Sequence, residues 1–152
     1  MVDICHRSKN LYNVVNYVVR QAFVGKHENI SEYVDLIHND KFISKYDLSK
    51  RMSSLNQPDY RALKSQVSQQ VIGQVFNNYK SFFKSLKSYK KNPSKFNGRP
   101  KLPKYKEKNG MNIVCFTNQS ISFDKHTYQL KLDRNTKIES IVYPFEDIKN
   151  FQ

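Results

Sequence analysis

Apolar positions recur every three or four residues over the first ninety positions, and every second residue over the last forty. Ile4, Leu11, Val14, Val15, Val18, Val19 and Ala22 form a broad stripe at helical spacing. They predict a first helix, capped by Asp3 and running to about Phe23. Gly25 and the polar run to Asn29 end it. Ser31, Val34, Leu36 and Ile37 predict a short second helix, and Asp47 to Leu55 a third. Pro58-Asp59 opens a new segment, in which Tyr60, Leu63, Val67, Val71, Val75, Tyr79, Phe82, Phe83 and Leu86 keep helical spacing to about Lys90. Pro93, Gly98, Pro100 and Pro103 then exclude regular structure. From Met111 the period falls to two. Ile113-Cys115, Ile121-Phe123, Tyr128-Leu130-Leu132 and the residues from Ile138 onward read as short strands. Turns are expected at Asn118-Gln119, Asp124-Lys125 and Asp133-Arg134-Asn135.

Helices followed by a meander predict an α+β fold. Residues 1–90 form an N-terminal helical bundle, 91–110 a basic Pro/Gly-containing connector, and 111–152 an incomplete antiparallel β meander. The meander ends on a strand and turn at Ile141 to Asp147, leaving an open sheet edge of the kind that proteins cover. The chain is therefore expected to be a piece of something longer.

Composition sharpens the picture. Only about a third of the residues are apolar, against a usual share of roughly 45–50%, so the core leans on ten Phe and ten Tyr. No apolar run approaches the roughly 18 residues that would cross a bilayer, and Met1 to Lys9 is polar and mixed in charge. A soluble intracellular protein with no membrane partner is expected. Cys5 and Cys115 lie far apart with no second thiol at ligand spacing.

The charge is uneven. Of a net +13, the thirty residues from Tyr79 to Lys108 hold +10, with eleven cations against Glu107 alone. Clustering of this kind is the footprint of a polyanion partner, because Lys and Arg on phosphates release condensed counterions. The candidate nucleic-acid-binding residues are Lys84, Lys87, Lys90, Lys91, Lys95, Arg99, Lys101, Lys104, Tyr105, Lys106 and Lys108. Interleaved aromatics admit two readings. Tyr79, Phe82 and Phe83 at helical spacing read as core, whereas Phe96 and Tyr105, in the Pro/Gly stretch, could equally stack on bases. Catalytic chemistry is not indicated. His6, His27, His38 and His126 are scattered, no Gly-rich phosphate loop occurs among four glycines, and no metal or cofactor is implied.

Several stretches, in order, resemble TnpB, the OrfB-type protein of bacterial insertion sequences. They include Lys9-Asn10-Leu11-Tyr12-Asn13, Ser68-Gln69-Gln70-Val71, Tyr79-Lys80-Ser81-Phe82-Phe83-Lys84-Ser85-Leu86 and Lys90-Lys91-Asn92-Pro93-Ser94-Lys95-Phe96. Gly98-Arg99-Pro100-Lys101-Leu102-Pro103-Lys104-Tyr105-Lys106 is the most specific, and Phe116-Thr117-Asn118-Gln119 follows it. The resemblance implies an RNA-guided DNA endonuclease of mobile elements, related to type V CRISPR effectors. Its N-terminal part is a helical recognition lobe inserted into a small β-barrel, the wedge domain, and both lie against guide RNA and the guide–target duplex. Cleavage belongs to a downstream RuvC-like domain. This chain departs from the pattern in lacking the leading family strand, the late wedge strands, the RuvC-like domain and the zinc-binding insert. It also has Lys64 where proline is commoner. No catalytic residue is carried over.

The leading expectation is therefore a truncated, non-enzymatic N-terminal fragment that binds guide-like RNA and DNA in the bacterial cytoplasm, at the nucleoid. A missing nuclease portion or a full-length relative is its expected protein partner. Two other readings stand beside it. One is a helix-turn-helix module for duplex DNA, although the N-terminal helices carry little net charge. The other is a non-functional remnant of a decayed mobile element.

Overall fold

A computed structural model describes residues 2–39, 42–127 and 129–132, and the backbone of 141–142. It combines helices with two small antiparallel sheets, an α+β chain. The chain divides into two units, residues 2–114 and the residues from 115 onward.

In the first unit, α1 spans Val2–Val24. Asp3 lies inside its first turn rather than at the cap. There it meets the Arg7 guanidinium at 2.9 Å and complements the positive end of the helix dipole. Leu11, Val15, Val18 and Ala22 are buried, as their spacing requires. Gly25, at φ +76°, closes the helix in the left-handed conformation that glycine adopts without strain.

The expected second helix is instead a 3-10 segment, His27–Leu36, kinked at Ile30. It stops before Ile37 because Ile37–His38 (β1) pairs antiparallel with Phe42–Ile43 (β2). The third helix, α2, spans Lys45–Ser54. Arg51 ties it to the 3-10 segment through the Asp35 carboxylate and the Glu32 carbonyl.

The long helix expected from Tyr60 to Lys90 is broken. A short α3, Pro58–Ala62, precedes α4, Ser65–Lys91, and Leu63 and Lys64 between them are extended. Two contacts account for the break. Leu63 turns into the core, and the fully buried Ser68 hydroxyl donates to the Tyr60 carbonyl at 2.9 Å, which an uninterrupted helix would have paired with a backbone N–H. From α4, Val67, Val71, Ile72, Val75 and Tyr79 complete the core with Leu48 and Met52 of α2. Phe23, Phe42, Phe82 and Phe83 extend it as an aromatic cluster, with ring centroids 5.2–6.4 Å apart.

After α4 the chain is irregular, as the prolines require, but it is not loose. Residues 103–113 run antiparallel to α1 and are held by its side chains. The Lys9 ammonium donates to the Lys108 carbonyl. Asn13 donates to the Lys106 carbonyl at 2.9 Å and accepts from the Lys106 N–H at 2.8 Å. Asn16, fully buried, donates to the carbonyls of Pro103 and Lys104, and its own oxygen accepts from the Tyr79 hydroxyl at 3.1 Å. Arg20 donates to the Pro103 carbonyl at 2.7 Å. At the far end, the Asn112 N–H donates to the Cys5 carbonyl and its side-chain amide to Ser8 and Gln74.

This anchoring corrects the expected strand at Ile113-Cys115. Asn112 is the buried residue and Ile113 is 71% exposed, the reverse of the apolar alternation. Burial goes to the residue whose backbone N–H and side-chain amide N–H groups are engaged by α1 and α4, and no strand forms there. Cys115 is exposed, and both cysteines are free.

In the second unit, Ile121–Asp124 (β3), Gln129–Leu132 (β4) and Ile141–Val142 (β5) form an antiparallel sheet in the order β3-β4-β5. The Asp124 carboxylate accepts the His126 and Thr127 N–H groups, which tightens the β3–β4 turn and holds its pKa below the usual carboxylate value. The expected turn at 133–135, Tyr128 and the ends of the strand expected from Ile138 lie outside the described residues.

Two tests of the first unit follow. Asn13→Ala removes both bonds to Lys106 and strands a peptide group, a loss of about 1–3 kcal/mol. The urea midpoint should fall at constant m, with loss of Lys106 amide protection in hydrogen exchange. Unchanged protection would refute the anchoring. The second test concerns Tyr79, whose phenol is pushed up to about 12 by burial, opposed by the neighbouring Arg20 guanidinium. A raised folded value means that its stabilisation is complete below the unfolded value near 10 and is lost as pH rises through about 12. The Tm of the protein should therefore fall more steeply between pH 10 and 12 than that of Tyr79→Phe. Parallel curves would show that the buried phenol contributes no such dependence.

Candidate nucleic-acid interface

The C-terminal half of α4 carries Lys80, Lys84, Lys87 and Lys91 at the i, i+4, i+7, i+11 spacing of one helix face, all exposed. The opposite side of the same turns is the buried Tyr79 and the Phe82–Phe83 pair. The helix is therefore amphipathic in a specific sense, with aromatic rings inward and a row of ammonium groups outward. Lys90 and Lys91 occupy its last turn, where cations offset the negative end of the dipole.

Beyond α4 the chain turns through a 3-10 segment, Pro93–Lys95, and Phe96 packs edge-on against Tyr89 at 5.7 Å. This contact uses Phe96 as a brace that folds the segment back on the helix. Pro100 to Lys106 then passes beside α4 and leaves a cleft of about 420 Å³ between them. Asn78, Ser81 and Ser85, one edge of α4, form one wall, and Lys101, Lys104 and Lys106 stand on the other. Among the described residues, no acidic side chain lines the cleft. Tyr12 lies at its base, its hydroxyl accepting from the Asn78 amide at 2.9 Å.

The segment's two aromatic neighbours are engaged by cations. The Arg20 guanidinium lies 4.8 Å from the centre of the Tyr105 ring, and the Lys106 ammonium 5.1 Å from that of Tyr12. Tyr105 remains 40% exposed, so it is held rather than buried.

The structure thus groups the sequence-predicted residues in two sets. Lys84, Lys87 and Lys91 share the α4 face, while Lys101, Lys104, Tyr105 and Lys106 line the cleft. Lys90, Lys95, Arg99 and Lys108 are exposed and stand outside the cleft lining. Four contributors escaped sequence reasoning: Asn78, Ser81 and Ser85, which form the facing wall, and Lys80 on the α4 row. Their signal was present in the heptad-like spacing of 78, 81 and 85.

A second hollow, of about 600 Å³, lies between α2, α3 and α4. Lys45, Lys50 and Arg61 rim it, and Tyr46, 77% exposed, stands beside it with the Lys45 ammonium 4.8 Å from its ring. It too has no acidic lining residue among the described residues.

Among the described residues, no group of three or more His, Cys, Asp or Glu side chains is placed to hold a metal ion, and no helix is long and apolar enough to cross a membrane. Compared with protein-family models, with curated proteins and with solved structures, the chain matches none.

Proposed function

We propose that this chain binds the sugar–phosphate backbone of RNA, or of an RNA–DNA duplex, through the outer face of α4 and the segment from Arg99 to Lys108. The observation that carries the reading is the anchoring of that segment. Its peptide groups at Pro103, Lys104, Lys106 and Lys108 are fixed by α1, and among the described residues no acid forms an ion pair with Lys101 or Lys104. A fixed row of cations can match a regular phosphate spacing; a loose polycation meets every polyanion alike.

Contacts of this kind position a nucleic acid without reading its sequence. That suits the TnpB-like reading, in which base pairing with a guide supplies specificity and cleavage belongs to a RuvC-like domain. In that reading, residues 1–90 act as the recognition-like lobe and the β3-β4-β5 sheet as part of a wedge-like domain. A helix-turn-helix reading would rest on α2 and α3, joined by a short turn. With five residues, α3 is too short to lay a recognition face along the major groove.

The experiment is fluorescence anisotropy with structured RNA, single-stranded DNA and duplex DNA, each at several salt concentrations. Tightest binding to RNA with a steep salt dependence is expected. The triple variant Arg99→Ala/Lys101→Ala/Lys104→Ala should lower affinity and flatten the slope of log K against log salt by about 2–3, near 0.7–0.9 per lost phosphate contact. An unchanged slope would overturn the assignment. Preference for one duplex DNA sequence would favour the helix-turn-helix reading, and equally weak binding to every probe the remnant.

A further inference from the structure

The α4 lysine row is convex and suits a continuous backbone, whereas the cleft beside it has the shape and lining for something smaller. At about 420 Å³ it falls in the lower part of the roughly 300–1,000 Å³ range of small-ligand sites. It is too confined for a duplex and large enough for one nucleotide.

Its lining is divided by chemistry. Lys101, Lys104 and Lys106 supply positive charge on one wall, and the Ser81 and Ser85 hydroxyls supply donors and acceptors on the other. Phe82 adds an apolar surface between them; its ring is half-buried and packs against Phe23 and Phe83 on its inner side. A phosphate, a flat ring and hydrogen-bonding ring edges are the three features that such a lining complements, and a nucleotide combines them. The walls are also stiff. One is the middle of a 27-residue helix, and the other is pinned by Asn13, Asn16 and Arg20.

Resting on the reading of this region as a nucleic-acid interface, we infer that the cleft seats a single unpaired nucleotide of the bound strand. Its phosphate lies at Lys101 and Lys104 and its base enters against Phe82 and the Ser81–Ser85 edge. The α4 row holds the flanking paired backbone. The chain therefore selects a structured RNA that offers an extruded nucleotide over one that is paired throughout.

The test uses the whole chain and two RNA hairpins that differ only in one bulged nucleotide, replaced by 2-aminopurine for fluorescence. The bulged hairpin should bind about tenfold tighter than the fully paired one, the lower range of a base–aromatic stacking contact. Iodide quenching of the 2-aminopurine should fall on binding. Filling the cleft with Ser81→Leu/Ser85→Leu, two residues that favour helix, should remove the preference while leaving the paired hairpin's affinity and its salt slope unchanged. Equal affinity for the two hairpins, or undiminished quenching in the wild-type complex, overturns the inference without any variant. So does competition by polyglutamate as strong as by the bulged RNA. Failure of the backbone reading is recognised separately, by the unchanged salt slope of the Arg99, Lys101 and Lys104 triple variant.

Discussion

A stretch with prolines at 100 and 103 and lysines at 101, 104, 106 and 108 cannot build its own secondary structure, so its peptide groups must find partners elsewhere or remain in water. A helix running alongside cannot supply them from its backbone, which is already saturated. Side chains must do so, and α1 provides them from Lys9, Asn13, Asn16 and Arg20, at the i, i+4, i+7, i+11 spacing of one face. Asparagine is suited to the task because its amide carries both a donor and an acceptor. Asn13 satisfies both groups of Lys106, and Asn16 serves two carbonyls while accepting from Tyr79. The face of α1 that packs the core, with Leu11, Val15, Val18 and Ala22, lies nearly opposite at 3.6 residues per turn. One helix thus joins a hydrophobic core to a basic strand, and every element of the proposed interface depends on it.

This arrangement has an electrostatic consequence. Because α1 grips backbone rather than side chains, most of the cations it immobilises stay in solvent. Together with those of α4 and the turn after it, they make eleven cations in the thirty residues from Tyr79 to Lys108, which repel one another, and such single-sign clustering opposes compact structure. The Lys106 ammonium on the Tyr12 ring offsets part of the repulsion without neutralising charge, and Arg20 of α1 is accommodated in the same way on the Tyr105 ring. Acidic partners would have relieved the strain more strongly but would also have cancelled the field. Among the described residues of the cleft lining none occurs.

Much of the helical unit was legible in the chain. The apolar spacing of α1, α2 and α4 located them to within a few residues, since a buried stripe leaves a clear period. What periodicity could not show was tertiary override. Lys64 and Leu63 have no turn chemistry, yet the chain breaks there because Leu63 is taken into the core and Ser68 captures the Tyr60 carbonyl. The β1–β2 hairpin is two residues to a side, too short to register as alternation. Ile113 and Cys115 did alternate, and misled, because Asn112 just before them carries the N–H groups that α1 and α4 engage. The candidate cations were legible from their clustering alone. Their grouping into a helix-face row and a cleft was not, since it depends on where an irregular segment lies. A trace was available in α1 itself, where polar residues repeat at helical spacing opposite the apolar stripe.

The bonds that place the basic segment are mostly between neutral amides and carbonyls, and they are partly or wholly buried. Salt screens exposed charges over about 10 Å at 0.1 M but leaves such bonds largely untouched. The order of the segment and its attraction for phosphate therefore respond to different conditions. Raising ionic strength weakens binding and screens the cations' mutual repulsion while they keep their positions. A segment held instead by ion pairs would loosen as it released its ligand, and folding and binding would then be inseparable in any salt titration. Holding charged residues by neutral contacts is what allows a salt slope to count phosphate contacts in this chain.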